Sequence, residues 1–395
     1  MTIGALIDIG SASVLVSYVA SRPGDAIPII VWSHREHVPL RDTTDIQQLA
    51  KNLSTAFVNA SLLLETTGRQ VLKQAIPNHP RPSYVHVTVA APWSYTVTKT
   101  ITYRGDESFV ISKNLISELV ETAEQKILRE LKEHEVLAEL GLTITAKSTI
   151  ALTANGYRIT GPRGQKASDL ALARTNSLVH GYLVTAIGEC HEKLLPKTNL
   201  HTSSFMLAYY LTTRALYPER TEYCLIDITS EATEIGLVRD GVLQYCTHLS
   251  YGAFSLAREI STATKIPLAE AYSQLGNEAY QSDEQTASQI EALYHAYEAR
   301  VGELLHETGD ALSIPKTIIL HSNIETENFF SERIKEGAHL ATRSAHHVIP
   351  VSNDIISRYY TPSSAKDLFT RHDSALLISA QFFHTTHNES DIAWQ

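Results

Sequence analysis

Several features that would define a class are scarce or missing in this chain. Only three cysteines occur in 395 residues, Cys190, Cys224 and Cys246, and they lie far apart. That sets aside a disulfide framework and a cysteine metal site, and suits small buried side chains in a reducing cytoplasm. No stretch reaches the roughly 18 apolar residues that span a bilayer. The first residues show no charged segment followed by an apolar one, so no secretory signal is read there. No basic run occurs and the formal net charge is -10. Nucleic acid is therefore not expected as the main partner, because phosphate backbones need a basic surface. Histidine is abundant, yet the close pairs His34/His37, His346/His347 and His384/His387 have no cysteines or carboxylates at zinc-site spacing. They read as solvated loop residues.

What is present is a repeat. Leu6-Ile7-Asp8-Ile9 recurs as Leu225-Ile226-Asp227-Ile228. Each copy is a short apolar run delivering an aspartate to the exit of a buried strand. Each then meets a turn of small and hydroxyl residues, Gly10-Ser11-Ala12-Ser13 and Thr229-Ser230-Glu231-Ala232-Thr233. Second strands follow at 14–19 and 235–238, and third strands at 27–32 and 242–248. Two matching meanders imply two similar halves facing one cleft. Small residues in a hairpin leave backbone N–H groups open to a polyphosphate, and hydroxyls add donors. An aspartate from each side suits a hydrated Mg2+. Either aspartate alone also suits a cap of its own turn; the repetition favours the shared site.

Between the repeats, 45–65 has one apolar helical face with Thr43 or Thr44 as cap. Residues 76–83 read as a proline linker and 84–90 as a strand. The composition then changes to a strand at 95–103, a long amphipathic helix at 112–137 and a strand at 142–154. That unit, 93–168, interrupts the two-half plan as a small domain. Helices are expected at 180–195, 203–216, 254–263, 268–280 and 283–307, and a last buried strand at 316–321 before the turn Ser322-Asn323.

On these residues the chain resembles the actin-like ATPase superfamily. Residues 3–18 are similar to its first phosphate segment, and 223–258, including Tyr251-Gly252-Ala253, to its second. The stretch Asn155-Gly156-Tyr157-Arg158 with Gly161-Pro162, Gly164 and 167–170 resembles the end of the domain inserted in the FtsA family of cell-division proteins. The PilM family of pilus-assembly proteins is the next likeness. The resemblance implies an α/β, two-lobed actin-like (ribonuclease-H-like) ATPase fold with a small inserted α+β domain in the first lobe. The first lobe would be 1–92 and 169–217, and the second 218–253 and 311–384 with a helical subdomain at 254–310. A tail would follow at 385–395. It implies ATP and Mg2+ as cofactors, with nucleotide contacts at Asp8, Gly10, Ser11, Ser13, Asp227, Thr229, Ser230, Thr233, Gly252, Glu270, Ser322 and Asn323. Asp8 and Asp227 would serve the metal.

The departures from the family pattern bear on that site. Ser13 stands where FtsA has a lysine, so a cation near the terminal phosphates is missing. Thr229-Ser230-Glu231 replaces three glycines, and Glu231 adds negative charge. His321-Ser322-Asn323 replaces another glycine cluster, and Ser273 stands for the lysine partner of Glu270. Together they imply ATP bound weakly or not at all, with weak ATPase activity or none, and no residue is expected to be catalytic. The function so implied is an FtsA-like cytoplasmic scaffold that recruits or assembles division partners. A PilM-like pilus platform component and a working ATPase are the alternatives. Partners would be proteins: further copies, the division polymer or a membrane-protein tail. FtsA ends in a basic amphipathic helix, whereas the stretch 384–395 has no basic face. Association with the inner face of the membrane is therefore expected to be indirect.

Overall fold

The computed structural model describes residues 1–43, 45–78, 81–133, 141–276, 284–308, 314–323, 325–359 and 373–388. The chain opens with the antiparallel meander β1 (Thr2–Ile9), β2 (Ser13–Ser21) and β3 (Ile29–His37). β1 is buried from Ile3 to Ile9 because both of its faces are covered. α1 (Ile46–Leu63) runs through a π-turn at Leu64–Gly68 into α2 (Arg69–Ala75). Leu53, Phe57, Ala60 and Leu64 lie on its sheet-facing side. Its cap is Asp45, whose carboxylate accepts from the Gln47 and Gln48 N–H groups. Thr43, expected as a cap, instead accepts from the Asp45 N–H, and Thr44 lies outside the described residues.

After β4 (Tyr84–Val89) come β5 (Ser94–Val110), α3 (Lys113–Glu133), β6 (Leu142–Ala154), β7 (Tyr157–Arg158) and β8 (Lys166–His180). These four later strands form a sheet of their own, ordered β5-β8-β6-β7. Ile101, Ile111, Leu119, Ala123, Ala167, Leu170 and Leu172 share a separate core between that sheet and α3. The chain returns through α4 (Gly181–Leu194) to β9 (Asn199–Ser204) and the buried α5 (Phe205–Leu216).

The second meander is β10 (Tyr223–Ile228), β11 (Thr233–Arg239) and β12 (Val242–Leu249). Then follow α6 (Ala253–Thr264), α7 (Leu268–Gln274), α8 (Glu284–Glu307), β13 (Thr317–His321), α9 (Glu327–Thr342), β14 (His347–Pro350), α10 (Val351–Tyr359) and α11 (Ser374–Asn388). The two main sheets have the same plan, β3-β2-β1-β4-β9 and β12-β11-β10-β13-β14. In each, four strands run in one direction and only the second strand of the meander runs against them. Even the irregularities match: the second and third strands slip register at Tyr18/Val19 and at Leu237/Val238.

α11 joins the halves. Phe383 packs on the inner face of the first sheet with Leu6 and Val19, and a side chain at Gly4 would stand 2.5 Å from its ring. His384 is buried in this helix, sharing a hydrogen bond with Ser21 Oγ at 2.9 Å. His346 is buried too, and the His387 ring lies tilted against Phe383, centres 4.4 Å apart. These three histidines are thus not solvated loop residues, because a terminal helix and a strand edge cover them. The expected tail residues 385–388 belong to α11; 389–395, like 134–137 and 277–280 of two expected helices, lie outside the described residues. Among the described residues no helix is long and apolar enough to cross a membrane.

Candidate functional site

The two repeated hairpins meet at the ends of β1 and β10. Each is closed by the same backbone bond, Gly10 N–H to Ser13 O and Thr229 N–H to Ala232 O, both 2.9 Å. They touch directly: the Glu231 N–H donates to Ser11 Oγ at 2.9 Å. The Thr229 hydroxyl also reaches the Ala91 carbonyl, and the Trp93 indole the Ser11 carbonyl, each at 3.4 Å. Gly252 sits hard under the second hairpin. A Cβ there would lie 2.3 Å from Thr229 O and 2.6 Å from Ala232 N, so its need for glycine is set by the protein's own backbone. Ser230 O accepts the Phe254 N–H at 2.7 Å, fixing the start of α6.

Each aspartate is met by its neighbour on the adjacent parallel strand. The register places Asp8 opposite Thr88 and Asp227 opposite His321. Thr88 Oγ1 donates to Asp8 Oδ1 at 2.8 Å and lies 3.2 Å from Ser379 of α11. Asp8 is 4 % exposed; burial raises its pKa to about 6, against the lowering effect of Arg35 and Thr88. His321 Nδ1 is 2.7 Å from Asp227 Oδ1, and its Nε2 is 2.9 Å from Ser374 Oγ at the start of α11. Burial alone would lower the His321 pKa, but the Asp227 carboxylate raises it. The pair is held in a site where Asp227 is 1 % exposed.

The cation that the sequence places nowhere near Ser13 is supplied by Arg35 of β3. Its Nη1 donates to Ser13 Oγ at 2.7 Å, and its other nitrogens form a two-point pair with Asp373 at 2.7 and 3.0 Å. Burial favours the protonated acid at Asp373, yet Arg35 lowers its pKa below the usual carboxylate range. The charge of Glu231 is likewise answered: Arg258 of α6 holds both of its oxygens at 3.0 and 2.5 Å. Glu231 is therefore no uncompensated charge beside the cleft. Opposite Asp227 on β11 stands Glu234, whose pKa is raised well above normal by burial and by Asp227.

Other expected contacts fall elsewhere. Thr233 turns inward to the Tyr251 carbonyl at 2.8 Å. Glu270 is exposed on α7. Ser322 is buried and bonds to Asn323 O at 3.2 Å, while Asn323 Oδ1 accepts the Glu325 N–H. Thr88, Arg35, Asp373, Ser374 and Arg258 were not singled out in the sequence; Arg35 lies in the polar run Ser33-His34-Arg35-Glu36-His37, where nothing marks it.

Two features favour a cation here: Asp227 Oδ2 and Glu234 Oε2 are buried without a partner. The rest oppose it. A triphosphate needs open backbone donors and a free cation, whereas the Glu231 N–H is taken by Ser11 and Arg35 by Asp373. Mg2+ needs ionised carboxylates with free oxygens, whereas Asp8 is pushed toward protonation and Asp227 Oδ1 is taken by His321. Among the described residues no three histidine, cysteine or carboxylate side chains converge as a metal site.

No family model matches this chain, and no curated protein does. Solved structures do. A PilM–PilN type IV pilus biogenesis complex matches with a TM-score of 0.51 and 11 % identity over 89 % of either chain. The ethanolamine utilization protein EutJ of Carboxydothermus hydrogenoformans matches at 0.42, with 9 % identity over 88 % of this chain and 85 % of its own. Lmo2764 of Listeria monocytogenes, a putative N-acetylmannosamine kinase, matches at 0.43, with 11 % identity over 98 % of this chain and 99 % of its own. The chain has the mixed α/β, two-lobed actin-like ATPase fold.

Proposed function

We propose that this protein is a partner-binding scaffold of the actin-like fold whose interlobe cleft has become structural. The observation that carries this reading is the bond across the cleft, Glu231 N–H to Ser11 Oγ. A backbone donor that could meet a phosphate is spent on the opposite lobe. On this reading Ser11 and Thr229 tie the lobes together, Asp8, Ser13, Asp227, Ser230 and Gly252 brace their own lobes instead of a ligand, and hydrolysis of ATP is absent. The match to a PilM–PilN complex supports a PilM-like role, with a cytoplasmic protein held at the inner face of the membrane by a membrane-protein partner. The placement of the separate sheet between β4 and β9, with the likeness at 155–170, supports an FtsA-like role as second reading.

Isothermal titration of Mg-ATP into the whole protein tests the proposal. No saturable heat is expected, in the wild type or in Asp8→Ala and Asp227→Ala. Micromolar binding that both variants lose would overturn it and make the protein a nucleotide-gated ATPase.

A further inference from the structure

The ladder between β6 and β8 slips between Thr149 and Ala151, leaving Ile150 without a register partner. A bulge of this kind turns a backbone group out of the ladder. Two guanidinium groups converge on the Ile150 carbonyl, Arg158 from β7 and Arg214 from α5, each at 3.2 Å. Arg214 also donates to Tyr210 Oη at 3.0 Å and stands 5.2 Å from that ring's centre. Tyr210 in turn donates to Gly241 O, so Arg214 is fixed in place by the second lobe.

Neither arginine has a carboxylate partner among the described residues. Arg35, Arg104, Arg258, Arg300 and Arg333, by contrast, are each paired with an acid. Desolvation and the charge of Arg214 lower the Arg158 pKa. A carbonyl oxygen offers a partial charge to two full ones, and each planar fork keeps donors to spare for an oxyanion. β7 is also the outer strand of its sheet, and its Tyr157 is 78 % exposed, the most exposed large apolar side chain among the described residues.

We propose that this bulge is a docking site for an extended acidic segment of a partner protein. One carboxylate sits between Arg158 and Arg214, the segment runs beside β7, and Tyr157 covers a neighbouring side chain. An edge strand supplies main-chain donors and acceptors, paired arginines supply two-point recognition of carboxylate, and an exposed tyrosine supplies rigid contact area. The inference names a surface for the scaffold reading above. Its test involves no nucleotide, so either can fail alone.

Fluorescence anisotropy of the whole protein with a labelled short peptide of alternating glutamate and serine provides that test, with a glutamine-for-glutamate peptide as control. The acidic peptide is expected to bind and to weaken as salt is added. Arg158→Gln and Arg214→Gln should each weaken it by about tenfold or more, Arg158→Lys and Tyr157→Ala by less, and Arg104→Gln not at all. Arg158→Gln removes only a contact to one carbonyl, so an unchanged melting curve separates lost binding from lost folding. Equal binding of the two peptides, or equal binding by the arginine variants, overturns the proposal. If inorganic phosphate is held by the same arginines and the acidic peptide binds no better, the site takes small anions only and the docking reading is likewise overturned.

Discussion

The two lobes place an aspartate at the end of the same strand of the same sheet, and answer it in different ways. In the first lobe the residue opposite Asp8 is Thr88, a neutral donor; in the second the residue opposite Asp227 is His321, a base. The third members differ too, since Leu15 lies across from Asp8 and Glu234 across from Asp227. The outcome follows from charge. Asp8 is raised to about 6 by burial, which Arg35 and one hydroxyl only partly offset. Asp227, crowded by a second carboxyl, is held by the His321 ring at 2.7 Å. α11 reaches both places, with Ser379 beside Thr88 and Ser374 beside His321. A duplicated fold thus keeps its backbone plan while the chemistry of its cleft diverges one neighbour at a time.

The largest expected effect comes from removing the charged answer. His321→Ala leaves Asp227 buried and unpaired next to Glu234, and should lower stability by about 3–5 kcal/mol in urea unfolding. Thr88→Ala removes a neutral bond and should lower it by about 1–3 kcal/mol. Equal losses would mean that the two aspartates are held alike after all.

Next is the reverse experiment at Asp8. Its folded pKa is about 6 against 3.8 unfolded, so the unfolded chain ionises first as pH rises. The folded state loses ground between those two values and the loss is complete above about 6. Asp8→Asn abolishes that penalty and should stabilise the protein at pH 8 by about 2–3 kcal/mol, with no gain at pH 3.5. Asp227→Asn should instead destabilise, because it takes the counter-charge from His321. Chemical denaturation of both variants at the two pH values checks the contrast.

How much of this was written visibly in the chain follows from the range of each contact. Asp8, Gly10, Ser11 and Asp227 were readable because a buried run and its turn are local, and they occur twice. Arg35–Asp373 joins residues 338 positions apart, and no periodicity foretells such a pair. His321 was readable as a departure from glycine but not as the partner of Asp227, since strand register decides that. β9 (Asn-Leu-His-Thr-Ser-Ser) went unread because its composition is polar; the parallel pairing with β4 makes it a strand. The end of the chain read as a tail because its histidines hide a helical face that Phe382, Phe383 and His384 bury.

A smaller effect separates the hairpins themselves. Gly252→Ala drives a methyl into Thr229 O and should cost about 1–3 kcal/mol. Gly10→Ala meets nothing nearer than Ser13 O at 3.3 Å and should stay within about 1 kcal/mol. Loss of stability at Gly10 equal to that at Gly252 would show that the first hairpin is packed as tightly as the second. Thermal unfolding of the two variants decides it.

The smallest effect is a difference in sign with pH. Behind the first sheet, His86 is buried among His201 of β9, Tyr84 of its own strand, and Phe382, Phe383 and His387 of α11. No acid is among these neighbours, and burial first, then His387 and His201, push the His86 pKa well below 6.5. The folded state therefore keeps His86 neutral, and stability falls as pH drops below the unfolded value, by up to about 1.4 kcal/mol per pH unit for one proton. His321 acts oppositely. Its raised pKa gives stability that is complete below 6.5 and is lost as pH rises through the folded value. His86→Leu should flatten the acid limb of the stability curve and leave the alkaline limb alone, whereas His321→Gln should remove the stabilisation present in acid. If both variants moved the same limb, the imidazoles of the two lobes would share one charge state, and the contrast between a neutral first lobe and an ion-paired second would fall.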